Sequence, residues 1–168
     1  LDCMGAPIVK QLVFYVKMEN MTHDDGLTLA ALVLSAAGSL AEQISAGVAA
    51  RGFDDLRPAH GFAFVRLSPD GATITDVAHH LGVTKQAAGQ LVEELERKGY
   101  VRRLPHPADA RARLVVLTEH GRACTRAAEE AAAEAVRAWA AVLGPDRVAA
   151  LRTDLARVAP PGRIRPTW

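Results

Sequence analysis

The stretch ATITDVAHHLGVTKQAAGQLVEELERKGYVRRLPHPADARARLVVLTEHG, residues 72–121, decides the fold. Thr73-Ile-Thr-Asp76 has the form of a capping box, with a hydroxyl at the N-cap and a carboxylate three residues on, so a helix starts there. Val77, Ala78 and Leu81 share one face of that helix, and Gly82 suits the following position, which needs positive φ. Val83 fills a turn. Thr84 caps a second helix, Lys85 to Lys98, in which Ala87, Ala88, Leu91, Val92 and Leu95 are spaced to form a buried stripe, and Gly99 closes it. Val101 and Leu104 flank Arg102 and Arg103 in one strand, and residues 114–117 (Leu-Val-Val-Leu) make a second. The intervening Pro105-His-Pro-Ala-Asp-Ala-Arg111 is too rich in proline for a central strand and predicts a projecting wing. The order is that of a winged helix-turn-helix, a mainly α fold with a small β-wing (α+β).

Outward from this core, a long helix is predicted over 27–51, where Leu29, Leu32, Val33, Leu40, Ile44 and Val48 recur at three- and four-residue spacing. Gly52 to Pro58 breaks it, with Pro58 placed for the first turn of a short apolar helix that ends near Leu67. Thr118 caps a helix running to about Leu143, Gly144-Pro145 ends it, and a last helix carries Val148, Leu151, Leu155 and Val158 on one face. The organisation expected is therefore a leader (1–26), a continuous domain (27–158) and a tail (159–168). Within that domain the winged core covers 58–117, and helices 27–51 and 118–158 serve dimerisation. The leader reads as non-native or disordered, because the chain opens on Leu and Met21-Thr-His-Asp-Asp-Gly26 resembles a natural start. The tail, with Pro160-Pro-Gly and no periodicity, reads as disordered.

The 168 residues suffice for one domain with a real core, and 49% hydrophobic with only 5% aromatic residues means an alanine- and leucine-dominated helical interior. A net charge of +1 does not announce nucleic acid, but its distribution does. Between His79 and Arg113, seven Lys and Arg (85, 97, 98, 102, 103, 111, 113) face four acids (Glu93, Glu94, Glu96, Asp109). Phosphate binding responds to such a local patch more than to the chain average. Two cysteines, Cys3 and Cys124, are too few and too far apart for a disulfide framework. No apolar run is expected to reach the roughly 20 residues that span a bilayer, so a cytoplasmic protein with no membrane partner is expected.

Asp109-Ala-Arg111-Ala-Arg113-Leu-Val-Val-Leu117-Thr118-Glu-His-Gly121 resembles the D-x-R…L-T-x-x-G signature of MarR-type transcriptional regulators. Leu95-Glu-Arg-Lys-Gly99-Tyr-Val-Arg-Arg103 is similar to that family's helix exit, and Val77-Ala78-x-x-Leu81-Gly-Val83-Thr-Lys-Gln86 to its turn. One departure is Ala110, where many members carry Arg. The resemblance implies double-stranded DNA as a partner and a homodimer whose terminal helices interleave. It also implies a ligand-responsive repressor acting on a pseudo-palindromic operator.

In that arrangement the second helix of the motif enters the major groove by its N-terminal end, which presents Thr84, Lys85, Gln86, Gly89 and Gln90. Gln pairs bidentately with adenine, and Lys reaches guanine or a phosphate. Gly89 removes a side chain in mid-helix, where a backbone approach to DNA or to a neighbouring helix would explain it. Thr73 and Thr75 can hold a phosphate, Thr73 being equally a simple cap. Arg111 is the expected minor-groove residue, steadied by Asp109, while Arg102, Arg103 and Arg113 serve phosphates. For Arg103 a salt bridge inside the wing is an equal alternative. His60, Phe62 and Arg66 lie on the short helix that floors a cleft in MarR-type folds, and would suit a small aromatic or anionic effector. Phe62 and Phe64 are alternatively core residues.

No cofactor is expected. Six histidines show no metal-ligand spacing. Cys124 reads as a small buried hydrophobe rather than a redox switch. No G-x-S-x-G, phosphate-binding glycine loop or H-E-x-x-H is present, which speaks against an enzyme. The rival readings are a MarR-like protein-interaction module without DNA binding, and a metal- or redox-responsive regulator.

Overall fold

The computed structural model describes residues 26–159 except 108, with the side chains of 109–111 also left aside. The expectations for the leader and the tail fall outside the described residues. In chain order the elements are α1 (Gly26–Ala50), α2 (Pro58–Leu67), α3 (Ile74–Leu81), α4 (Lys85–Arg97), β1 (Val101–His106), β2 (Asp109–Leu117), α5 (Glu119–Leu143) and α6 (Pro145–Val158). Contacts group the chain into two units, Leu1–Leu40 and Ala41–Trp168, so the division falls inside α1 and not at an end of the expected continuous domain.

The local signals act as expected. Thr73 Oγ1 accepts the Asp76 N–H while the Asp76 carboxylate accepts the Thr73 N–H at 3.0 Å, closing the capping box of α3. Gly82 ends α3 at φ 66°. Thr84 and Thr118 cap α4 and α5 in the same manner, accepting from Ala87 and Gly121. Pro58 sits in the first turn of α2. Val77, Ala78 and Leu81 of α3 and Ala88, Val92 and Leu95 of α4 close a core over Phe64, Leu67, Tyr100 and Val115. Ala87 is a correction: it is exposed, because the buried stripe of α4 runs 88-92-95 and Ala87 falls one position outside it.

The β-hairpin is longer than the sequence suggests. β1 runs through Pro105 to His106, and β2 begins at Asp109, pairing antiparallel from Val101–Leu117 to Pro105–Arg113. A two-stranded sheet has only edges, so a proline without an N–H is tolerated where a central strand would reject it. The register slips after Pro105, and His106 faces Asp109 across the tip. Ala72 adds an isolated bridge to Val115, which ties the start of α3 to the wing's base.

The helical arms contrast with this core. In α1, Ala31 is the one buried residue, and Leu27, Leu29, Leu32, Val33 and Leu34 stand roughly half to two-thirds exposed. At 25 residues with a single charge, Glu42, α1 is long and apolar enough to cross a membrane, which corrects the expectation that no such run exists. In the second unit, Ala127, Ala131 and Ala135 form the buried stripe of α5. Gly47 lies so close to it that an added Cβ would stand 2.6 Å from the Ala131 Cβ. Arg51 fastens that crossing, bonding Glu130 at 3.2 Å, Glu134 at 2.6 Å and the Gly47 carbonyl. No residue of α6 is buried.

Candidate nucleic-acid interface

The exposed N-terminal end of α4 carries Lys85, Gln86 and Gln90. One turn separates the two glutamines, about 6 Å along the axis, so both side chains reach the same side. The Thr84 hydroxyl is engaged as the cap, accepting the Ala87 N–H at 3.1 Å. Nothing lies within 4 Å of the Cβ position at Gly89, so a close neighbouring helix of this chain does not explain that glycine. Thr73 is likewise engaged in its capping box, and Thr75 is exposed on the first turn of α3.

On the hairpin, Arg102 and Arg113 are exposed and make no ion pair among the described residues, and the same holds for Lys85 and for Arg97 at the end of α4. Arg103 behaves differently. It turns to α4, with Nη2 3.9 Å from Glu93 and Nε 3.3 Å from Glu96, so its ion pairs run to the recognition helix and not within the wing. Both of those nitrogens are buried without a well-directed hydrogen bond, so the attraction is mainly coulombic. Asp109 and Arg111 lie in β2 by backbone, Asp109 opposite His106, and their side chains fall outside the description.

A second set of charges grips the other flank of α4. The Glu94 carboxylate pairs with Arg57, the residue before α2, and with Lys98 at 3.0 Å. Its Oε2 also stands 3.6 Å from Nε2 of His60, which is fully buried. The His60 Nδ1 accepts the Arg57 backbone N–H at 3.0 Å, which places the ring proton on Nε2, facing Glu94. Burial first, and the neighbouring cations Arg57 and Lys98 next, hold the His60 pKa below its ordinary value against the pull of Glu94. The hydrogen bond from Lys98 leads in holding the Glu94 carboxyl below the usual carboxylate range. Lys98 also bonds the Asp55 carbonyl, and the Asp55 carboxylate accepts the Tyr100 hydroxyl at 2.7 Å. Sequence reasoning counted Glu93, Glu94 and Glu96 only as charges opposing the basic patch and assigned Arg57 no role. Glu94 and Lys98 have the i,i+4 spacing of a helix ion pair, but Arg57 lies 37 residues from Glu94 and no local pattern marks that partnership.

The joint between wing and α5 explains the L-T-x-x-G pattern physically. Thr118 Oγ1 donates to the Gly99 carbonyl at 2.6 Å and accepts the Gly121 N–H at 3.1 Å, while the Thr118 N–H bonds the Tyr100 carbonyl at 2.9 Å. A Cβ at Gly121 would collide with that Tyr100 carbonyl, so the first turn of α5 can seat there only without a side chain.

Of the three residues expected to line an effector cleft, Phe62 is half-buried against the core, and Arg66 is part-exposed, 3.8 Å from Asp76. His60 presents no surface. Phe64 is a core residue. Cys124 is buried, and desolvation pushes its thiol up to about 11, so it holds its proton at neutral pH and is a poor nucleophile. Among the described residues, no three or more His, Cys, Asp or Glu side chains group as a metal site.

The sequence profile of the MarR family matches residues 62–112, from α2 through the wing. Among curated proteins, none matches the chain by sequence. Solved structures do. The protein RV1404 from Mycobacterium tuberculosis is 26% identical with a TM-score of 0.64, the match covering 84% of this chain and all of that one. The transcriptional repressor CouR, bound to a 23-mer DNA duplex, is 27% identical with a TM-score of 0.64 over 79% of this chain and 92% of its own. CouR from Rhodococcus jostii RHA1 bound to p-coumaroyl-CoA aligns at 24% identity and a TM-score of 0.63, over 84% and 96% of the two chains, and at that identity attests the fold alone. The profile over residues 62–112, these likenesses and the helix–turn–helix–wing geometry agree: the chain has the winged-helix fold of MarR-family transcriptional regulators and carries that family's pattern from α2 through the wing.

Proposed function

We propose that this protein is a sequence-specific DNA-binding repressor that acts in the cytoplasm as a homodimer on a pseudo-palindromic operator and is released by a small effector. The observation that carries the DNA reading is the pairing of an exposed polar tip on α4 (Lys85, Gln86, Gln90) with exposed cations on the adjoining hairpin (Arg102, Arg113). A helix tip reads base edges in the major groove while a wing grips the neighbouring backbone. Asp109 and Arg111, at the start of β2, are assigned to the wing's minor-groove contact, and Thr75 to a phosphate. A relative caught on a 23-mer duplex supports the same use of the fold.

The homodimer rests on the exposed leucines of α1 and the wholly unburied α6, apolar surface that a partner of the same sequence would cover. The effector pocket is assigned to the surface beside Phe62 and Arg66, with His60 behind it. An aromatic ring over Phe62 and an anion near Arg66 would suit each other.

Gel retardation with the DNA flanking the protein's own gene, together with light scattering, tests the reading. The expected outcome is a dimer whose log affinity falls with log salt at a slope of about −0.9 for each phosphate neutralised. A monomer at micromolar concentration that retards no duplex would overturn it.

A further inference from the structure

Helix α4 presents its N-terminal end as the reading surface, yet its C-terminal half carries three acids, which by simple charge would repel DNA. None of the three is a free surface acid. Glu93 and Glu96 meet Arg103 from the wing, and Glu94 meets Arg57 and Lys98 above the buried His60. The two sets approach α4 from different flanks. Arg57 is the N-cap residue of α2, so its pair with Glu94 ties the start of α2 to α4. The same His60 that accepts the Arg57 N–H turns its other nitrogen to Glu94, so the cap of α2 and the clasp on α4 share one buried ring.

We propose that Glu94 is a positioning residue for DNA recognition: clasped by Arg57 and Lys98 over His60, it fixes the pitch of the recognition helix against α2 without touching DNA. Gln86 and Gln90 lie one to two turns N-terminal of Glu94 on the same helix, so a small tilt about the clasp moves their side chains relative to base edges. Bidentate pairing tolerates little such displacement. Phosphate contacts from flexible Lys and Arg tolerate more. The proposal rests on the DNA-binding reading and makes a prediction whose sign separates it from plain electrostatics. Glu94→Gln removes a negative charge from a DNA-facing helix, and if Glu94 were only a solvated acid, binding to any duplex would strengthen. As a positioning residue, its loss weakens binding to the preferred sequence alone.

The test uses the full chain and two probes: a duplex enriched by the parent protein from a random-sequence pool, and a scrambled duplex of the same length and composition. Fluorescence anisotropy should show Glu94→Gln binding the enriched duplex roughly 3- to 10-fold more weakly. Its affinity for the scrambled duplex should be equal or higher, and its salt slope unchanged. Arg57→Gln, at a well-exposed side chain whose truncation leaves no cavity, should lose the same specificity, and Arg57→Lys, which keeps the cation, should recover most of it. Enriched-duplex affinity for Glu94→Gln equal to or above the parent's would overturn the proposal. Should that variant lose its helical circular dichroism, the ratio of the two affinities for Arg57→Gln decides on the same criterion. A parent chain that enriches no duplex overturns the DNA reading itself, and the positioning role with it.

Discussion

The winged region and the helical arms solve the problem of apolar surface in opposite ways. Around the motif, Val77, Val92, Leu95 and Val115 are completely buried, and even the polar groups close on one another in caps and clasps. Along the first ten residues of α1 the large residues are exposed, Leu27 and Leu29 each 64%, and no residue of α6 is buried. An apolar helix stripe that its own chain leaves uncovered is surface that association can bury. The winged region therefore closes its core within one chain, whereas the arms carry the apolar surface that the proposed homodimer would cover.

The sharpest way to break the self-sufficient half is at its tightest joint. Gly121→Val places a branched side chain against the Tyr100 carbonyl, where backbone cannot yield without dismantling the Thr118 bonds. A loss of about 3 kcal/mol is expected from overpacking at so rigid a site. Urea denaturation followed by circular dichroism measures it. Gly61, with nothing within 4 Å of its Cβ position, serves as the matched control and should accept alanine at little cost. Equal losses at the two positions would show that the joint does not carry the winged region.

The arms should break differently. Leu32→Glu puts a charge on the exposed stripe of α1, where the folded monomer has nothing to lose. If a partner chain buries that leucine, association weakens by about 2 kcal/mol, the worth of one buried leucine side chain, and more if the carboxylate is buried unpaired. Sedimentation equilibrium should register the change, with hydrogen-exchange protection in α3 and α4 unaltered at concentrations where both proteins are monomeric. Unchanged association would remove α1 from the interface.

How much of this was legible in the sequence follows from the range of each signal. Caps and glycines act over three or four residues, so Thr73, Gly82, Thr84, Gly99 and Thr118 could be placed by reading along the chain. Apolar periodicity gives the phase of a helix, which is why the 88-92-95 stripe was visible while Ala87, one step off it, was misplaced. Proline statistics assume a central strand, so Pro105 shortened the expected hairpin although both strands are edges. The clasp between Arg57 and Glu94 had no such signature. Arg57 and Glu94 lie 37 residues apart, and nothing in the neighbourhood of either announces the other. His60 reads in the sequence as part of an effector cleft, and the structure gives it a post that the sequence does not announce, buried among Arg57, Glu94 and Lys98.

That post has a pH signature, smaller than the two effects above. Groups facing the ring are Arg57 from the α2 cap and Glu94 and Lys98 from α4. The folded protein holds His60 neutral with its pKa below the ordinary 6.5, so the unfolded chain binds the proton more readily. Stability from this group is therefore fully present above about pH 6.5 and is lost as pH falls below it toward the lowered folded value. One proton sets a ceiling of about 1.4 kcal/mol per pH unit on the slope. The carboxylates with depressed values, Glu94, Asp76 and Glu119, lose their contributions only in more acid solution, below their ordinary 4.5, 3.8 and 4.5, so the histidine window lies above theirs. Thermal melts of the parent and of His60→Gln, whose amide oxygen can still accept the Arg57 N–H, should diverge between pH 7.5 and pH 5 (roughly the His range). The parent should lose stability across that interval and the variant should stay flatter. A variant that follows the parent's slope would leave His60 as packing alone.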